Sequence, residues 1–297
     1  MEYSIDQVDD DGKTPLHLAS QNGHTITVLT LLLLGAKTTV VDKIGYSPLR
    51  YAVQGNYLEV IKIFLDKEST VNENTITESF TPLHTAAEFG HLGLVRNRVI
   101  VHLLLQHNAN VNAERKDGLT PLFFAANCGK ADVVDLLLQK GALANSRDSR
   151  GSTALHLSAR NGHDAISEAL IQKGAEVNCT DDNHNTPFLE AATKTNNEKT
   201  IQILLKHGAN VNETREINRT ALHIASLAGD GPMIEALLQK GADVNAKDNE
   251  GCTALHMAVY GNHKAAVEIL LDDKYKAKVN LLENTNSSAL SDINAKN

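Results

Sequence analysis

Thirteen histidines stand in this chain of 297 residues. Histidine is the commonest proton carrier in catalysis and a frequent zinc ligand. The spacing argues against both roles. No two histidines lie four residues apart, and the three cysteines (Cys128, Cys179, Cys252) form no Cys-x-x-Cys pair. Five histidines (His17, His84, His156, His223, His256) hold the fourth place of a recurring tetrad. Four more (His24, His91, His163, His263) follow seven residues later. A residue that returns in register is first a part of the scaffold. Gly12-Lys13-Thr14 imitates the end of a phosphate-binding loop, but the required first glycine would fall on Gln7. No Gly-x-Ser-x-Gly occurs, and scattered Ser, His and Asp make no triad without geometry. The expectation is a chain without catalytic residues, without a metal and without a cofactor.

The tetrad itself organises the sequence. It reads TPLH at Thr14, SPLR at Ser47, TPLH at Thr81, TPLF at Thr120, TALH at Thr153, TPFL at Thr186, and TALH at Thr220 and Thr253. Successive starts are 33, 34, 39, 33, 33, 34 and 33 residues apart. A fixed period of this size means a stack of small units, not one globular core. Each Thr or Ser caps a helix by accepting a backbone N–H. In five units Pro follows at the first helical position, where its missing N–H costs nothing. In the unit from Asp148 to Asn178, Gly151 lies in the turn, Leu155, Leu157 and Ala159 mark a first helix, and Gly162 ends it. A second helix from about His163 to Gln172 carries Ile166, Ala169 and Leu170 at helical spacing and stops at Gly174. Neither helix is long enough to stand alone in water, so each unit must lean on its neighbours.

At 42% apolar and 22% charged residues the chain can bury a sizeable core. A net charge of −8 disfavours a nucleic-acid partner. The longest apolar run, Leu29 to Leu34, is far too short to cross a bilayer. Few, odd and distant cysteines fit a reducing compartment, so a cytoplasmic location is expected.

The units resemble the ankyrin repeat. The family signature is matched almost complete by DGLTPLFFAANCGKADVVDLLLQKGALAN (residues 117–145) and by EGCTALHMAVYGNHKAAVEILL (residues 250–271). The resemblance covers roughly residues 9 to 290. It implies an all-α solenoid of helix-turn-helix units with projecting β-hairpin turns, in which the motif histidine helps bond the turns together. It implies protein binding on a concave face of turns and first helices, without catalysis. On this reading residues 1–8 form a frayed start, residues 9–280 hold eight repeats, and 281–297 a degenerate ninth repeat, cap or tail.

Departures from the pattern carry expectations too. The third unit is six residues too long, as if Arg96 to Val101 were inserted. Six residues turn a helix by about 600°, so the second helix should bulge, break or reset its register. In the sixth unit His184 and Thr195 replace glycines, and Glu190 replaces a leucine. The asparagines that close units as Val-Asn (Asn72, Asn112, Asn178, Asn212, Asn245, Asn280) read as turn formers bonding local backbone.

Variation at fixed repeat places indicates where a partner would touch. The residue before each tetrad reads Lys13, Tyr46, Phe80, Leu119, Ser152, Asn185, Arg219, Cys252. We expect an apolar strip built on Ile44, Tyr46, Phe80, Phe89 and Leu119, continued by Arg150, Arg160 and Arg219. The expected function is a non-catalytic interaction module, acting as adaptor, scaffold or inhibitor, monomeric and not inserted in a membrane. The alternatives are the recognition segment of a larger toxin, channel or enzyme, or a microbial effector delivered to host cells.

Overall fold

The computed structural model describes residues 4–67, 71–72, 79–89, 94–194 and 197–275, with backbone alone at 94–97. The chain forms two compact units, Met1–Ser149 and Arg150–Asn297. The proposed ninth repeat (281–297) and the Thr195 substitution lie outside the described residues.

The first unit contains four helix pairs: α1 (Pro15–Gln21) with α2 (Thr25–Leu33), α3 (Pro48–Gln54) with α4 (Leu58–Asp66), α5 (Pro82–Glu88) with α6 (Leu94–Gln106), and α7 (Pro121–Asn127) with α8 (Ala131–Gln139). The second contains α9 (Ala154–Arg160) with α10 (Asp164–Gln172), α11 (Pro187–Ala192) with α12 (Glu198–Lys206), α13 (Ala221–Ala228) with α14 (Gly231–Gln239), and α15 (Ala254–Tyr260) with α16 (Lys264–Leu270). The fold is all-α, and among the described residues the only β pairing is an isolated bridge between Thr214 and Thr220.

Every first helix starts where its tetrad begins. Thr14 is extended (φ −79°, ψ 165°), and its side-chain oxygen accepts the N–H of His17. Thr81, Thr153, Thr220 and Thr253 share with Thr14 the reciprocal capping box to the histidine three residues on. Hairpin turns precede the helices. In these the amide of the first residue bonds the carbonyl four residues on, as Asp42 with Tyr46 (3.0 Å) and Asp181 with Asn185 (2.9 Å). Neighbouring hairpins also bond each other, through Lys43 N to Asp11 O (3.0 Å) in the first unit and Asp182 N to Arg150 O (2.9 Å) in the second. Gly118 shows why the turn needs glycine. Its φ is +77°, and a Cβ there would meet the Arg147 carbonyl oxygen at 2.9 Å. His184 takes the same conformation (φ +59°) with a side chain attached.

The motif histidines wire one repeat to the next. The Thr14 amide (3.0 Å) and hydroxyl (2.8 Å) both reach His17 Nδ1, which makes Nδ1 the acceptor and puts the ring proton on Nε2. Nε2 then donates to the Tyr46 carbonyl at 3.0 Å. His84 to Leu119 (3.1 Å), His156 to Asn185 (3.0 Å) and His223 to Cys252 (3.1 Å) repeat the link. Burial holds the His84 imidazole at about 4, and lowers His17 and His223 as well. The neutral ring is the one that can accept at Nδ1.

Three sequence expectations change. Residues 4–8 do not simply trail: the Asp6 carboxylate accepts the Lys37 amide at 3.0 Å. The long third repeat neither bulges nor breaks, because α6 is one helix of 13 residues where α8 has nine. Ile100 and Val101 are 1% and 0% exposed, so they are core residues and not part of an inserted excursion. The surplus lies N-terminal to them, and the register is kept at the C-terminal end of the helix, where Leu104 is fully buried. Four of the Val-Asn asparagines (Asn72, Asn112, Asn178 and Asn212) bond the following repeat and not their own turn, while Asn280 lies outside the described residues. Asn112 donates to Gly141 O (3.0 Å) and accepts from Leu143 N (2.9 Å); Asn212 does the same with Gly241 (3.4 Å) and Asp243 (2.9 Å). Asn72 and Asn178 make equivalent pairs.

Candidate protein-binding face

The hairpins and first helices present one side chain of each kind per repeat. Their scaffold bonds come from the repeated Thr and His, so the variable places between them are where chemistry differs along the chain.

In the first unit the structure gathers Tyr46 and Phe80 around a residue the sequence reading passed over. Arg50 stands where other tetrads have histidine. It is 7% exposed. Its guanidinium carbon lies 3.5 Å from the Tyr46 ring centroid and 4.2 Å from that of Phe80. Phe80 also meets Phe124 edge-on at 5.2 Å and His84 at 5.1 Å. Phe80 is 4% exposed, which corrects its placement on a surface strip: the repeats' own packing uses it. The Tyr46 ring is half-buried in the same stack, and Leu119 is half-buried with its carbonyl engaged by His84. Ile44 is 59% exposed at a hairpin tip. Phe89 is half-buried at the end of α5. Burial raises the Glu88 carboxyl, against the pull of Arg50 and Arg115. The expected apolar strip is therefore divided: Ile44 faces solvent, while Phe80 and much of Tyr46 hold repeats together.

In the second unit Arg150 and Arg160 come together around Glu190. They line a polar cleft of about 190 Å³ with Ser152, Asn183 and Asn185. Arg160 Nε is 3.5 Å from Glu190 Oε2. Burial pushes the Glu190 carboxyl up. Arg160 opposes that shift most strongly, Asp181 adds to it, and Arg215 and Arg150 oppose it more weakly. Arg219 is not part of this cleft. It pairs with the fully buried side chain of Asp248 at 3.1 Å.

Asp248, Glu250 and Cys252 bring their ligand-type atoms within 4.8 Å of one another. The hairpin already uses them. Asp248 Oδ1 accepts the amides of Glu250 and Cys252 at 2.9 Å each, and Oδ2 takes Arg219. The grouping is that of a turn.

Exposed apolar residues also lie outside the expected strip. On α2, Ile26, Leu29 and Leu33 are 80%, 41% and 79% exposed, and Leu34 just after it is 69% exposed. The matching places on α8 hold Asp132, Asp135, Gln139 and Lys140. On the first helices Leu227 and Tyr260 are 38% and 80% exposed.

Taken together, these are features of an all-α repeat protein in which recurring residues bond neighbouring hairpins while the side chains beside them vary. The family profile for ankyrin repeats (3 copies) matches in overlapping stretches from residue 1 to residue 283, including 1–75, 67–148, 142–215 and 188–283. The chain belongs to the ankyrin repeat family. It is similar to alpha-latrotoxin-Lh1a of Latrodectus hasselti (28% identity over 123 residues, 41% of this chain and 9% of the relative). It is similar to the human transient receptor potential cation channel subfamily A member 1 (32% over 132 residues, 42% and 11%). It is also similar to the Drosophila melanogaster ankyrin repeat and KH domain-containing protein mask (36% over 118 residues, 39% and 3%). The aligned part is thus a small fraction of each of these longer proteins. Among the described residues no helix is long and apolar enough to cross a membrane.

Proposed function

We propose that this chain is a non-catalytic protein-binding module that holds a partner on the face formed by its hairpins and first helices. Ankyrin repeats are protein-interaction modules. The observation that carries the reading is the division of labour within each repeat. Thr and His at fixed places make the inter-repeat bonds, while side chains beside them stay exposed and vary, as Ile44, Arg150, Arg160, Leu227 and Tyr260 do. A surface preorganised by its scaffold loses little entropy on docking. The module acts as a monomeric adaptor, scaffold or inhibitor of the intracellular space, a location supported by the composition and cysteine spacing.

A second reading makes the chain the recognition segment of a larger protein. It is favoured by the relatives, in which the aligned region is 9% of a latrotoxin and 11% of a channel subunit. Delivery into a host cell is a third setting for the same binding chemistry.

The test is affinity purification from the native source, followed by amide-exchange footprinting of the complex. Protection of hairpins and first helices on binding supports the reading. A footprint confined to the second helices, or no associated protein, contradicts it.

A further inference from the structure

We propose that the second unit receives an acidic side chain of a partner protein in the cleft framed by Arg150, Arg160 and Glu190, with an apolar residue of the same segment lying on Leu227 and Tyr260. The inference rests on the protein-binding reading and names the chemistry of the bound segment.

The depth order of the charges sets the sign. The Arg160 side chain is 54% exposed and that of Glu190 is 15% exposed, so the rim is cationic and the carboxylate lies at the floor. The other carboxylate of the cleft is already committed. Asp181 Oδ1 accepts the amides of Asn183 (2.9 Å) and Asn185 (2.8 Å), and Oδ2 accepts Asn185 Nδ2 (3.3 Å). Glu190 meets Arg160 at Nε, and the guanidinium fork belongs to a side chain that is 54% exposed. A guanidinium fork of that kind matches a carboxylate in two parallel hydrogen bonds. An incoming ammonium would meet the guanidinium groups first. Glu190 serves as a positioning residue that fixes the angle of Arg160. Because the whole chain carries −8, the attraction is local and not a long-range field.

Repeat register supplies the second half of the segment. The residues seven places after each tetrad start are Arg160, Thr193, Leu227 and Tyr260, on or just past the ends of the successively packed helices α9, α11, α13 and α15. The row passes from charged to apolar. The same place in the first unit reads Gln21, Gln54, Glu88, Asn127, with neither a cation nor a large apolar residue. An extended segment with an acidic residue near one end and a large apolar residue toward the other fits this row.

Phage-displayed random twelve-residue peptides panned on the full chain provide the test, with selected peptides measured by fluorescence anisotropy. Enrichment of Asp or Glu together with Leu, Phe or Trp is expected. Arg160→Ala should weaken the selected peptides about tenfold or more, while Arg160→Lys weakens them less and Lys173→Ala, on the second-helix side, leaves them unchanged. Circular dichroism of each variant confirms the fold. Peptides rich in Lys or Arg, or acidic peptides indifferent to Arg160→Ala, overturn this inference and leave the module reading standing. That reading falls separately, if the footprint described above misses the hairpin and first-helix face.

Discussion

The guanidinium carbon of Arg50 lies over the Tyr46 ring, 3.5 Å from its centroid, at the place where five other tetrads carry histidine. Histidine at this place joins repeats by a hydrogen bond from Nε2. Arginine joins them by stacking, with Tyr46 in its own repeat and Phe80 in the next. A desolvated cation on an aromatic face contributes about 2 kcal/mol or more, and here two rings contribute. Arg50→Ala should therefore cost about 2–4 kcal/mol in urea unfolding. Arg50→Lys should also be destabilising, because an ammonium lacks the planar surface. An Arg50→Ala loss under about 0.5 kcal/mol would show that the stack contributes little.

Stability should fall as the solution is acidified through the histidine range. His84 titrates at about 4 in the fold against 6.5 for the free side chain, because burial penalises its charged form. Below about pH 6.5 the unfolded chain takes up a proton that the folded chain refuses, so acid favours unfolding. The loss from His84 alone is roughly 2 kcal/mol at pH 5, still growing until about pH 4. His17 and His223 are shifted the same way and add to it. Urea midpoints measured between pH 7.5 and 5 should decline steadily. A flat midpoint over that range would refute the neutral-histidine wiring.

The asparagine links predict a graded effect. Asn112→Ala removes two hydrogen bonds to the next repeat, at the Gly141 carbonyl and the Leu143 amide. Both sites are exposed, so the cost should be about 1–2 kcal/mol. Faster amide exchange at Leu143 is the direct readout. Unchanged exchange there would mean that water replaces the side chain at no cost.

His184 holds a left-handed backbone (φ +59°) where most turns of this chain have glycine. His184→Gly should raise stability by about 1 kcal/mol by removing the Cβ conflict. Thermal unfolding of the pair decides it, and a lower melting temperature for the variant would contradict the assignment of strain.

The sequence made the repeats legible because capping and turn chemistry are local. Thr14, Pro15 and Gly12 state their roles within a few residues. What it hid is the set of contacts made one period away. Phe80 reads as a variable hairpin residue, and only the neighbouring Arg50 and Phe124 make it core. The surplus in the third repeat was placed at Arg96 to Val101 because the apolar run after it aligned well. Burial of Ile100 and Val101 shows that the aligned helix begins earlier. Glu190 stood out as a departure from the pattern and Arg160 as a candidate partner contact. Their pairing follows from adjacent repeats placing first helices side by side, a relation between residues 30 apart.

The measurement that bears most directly on the central claim is native-state amide exchange of Leu137→Ala. Leu137 is fully buried in α8, which packs on α6 and α7. The cavity should cost about 2–5 kcal/mol. If short helical hairpins stand only by mutual support, protection must fall across α6 and α7 as well as α8. Loss of protection confined to residues 131–139 would mean that each hairpin is stable by itself, and the account would fail.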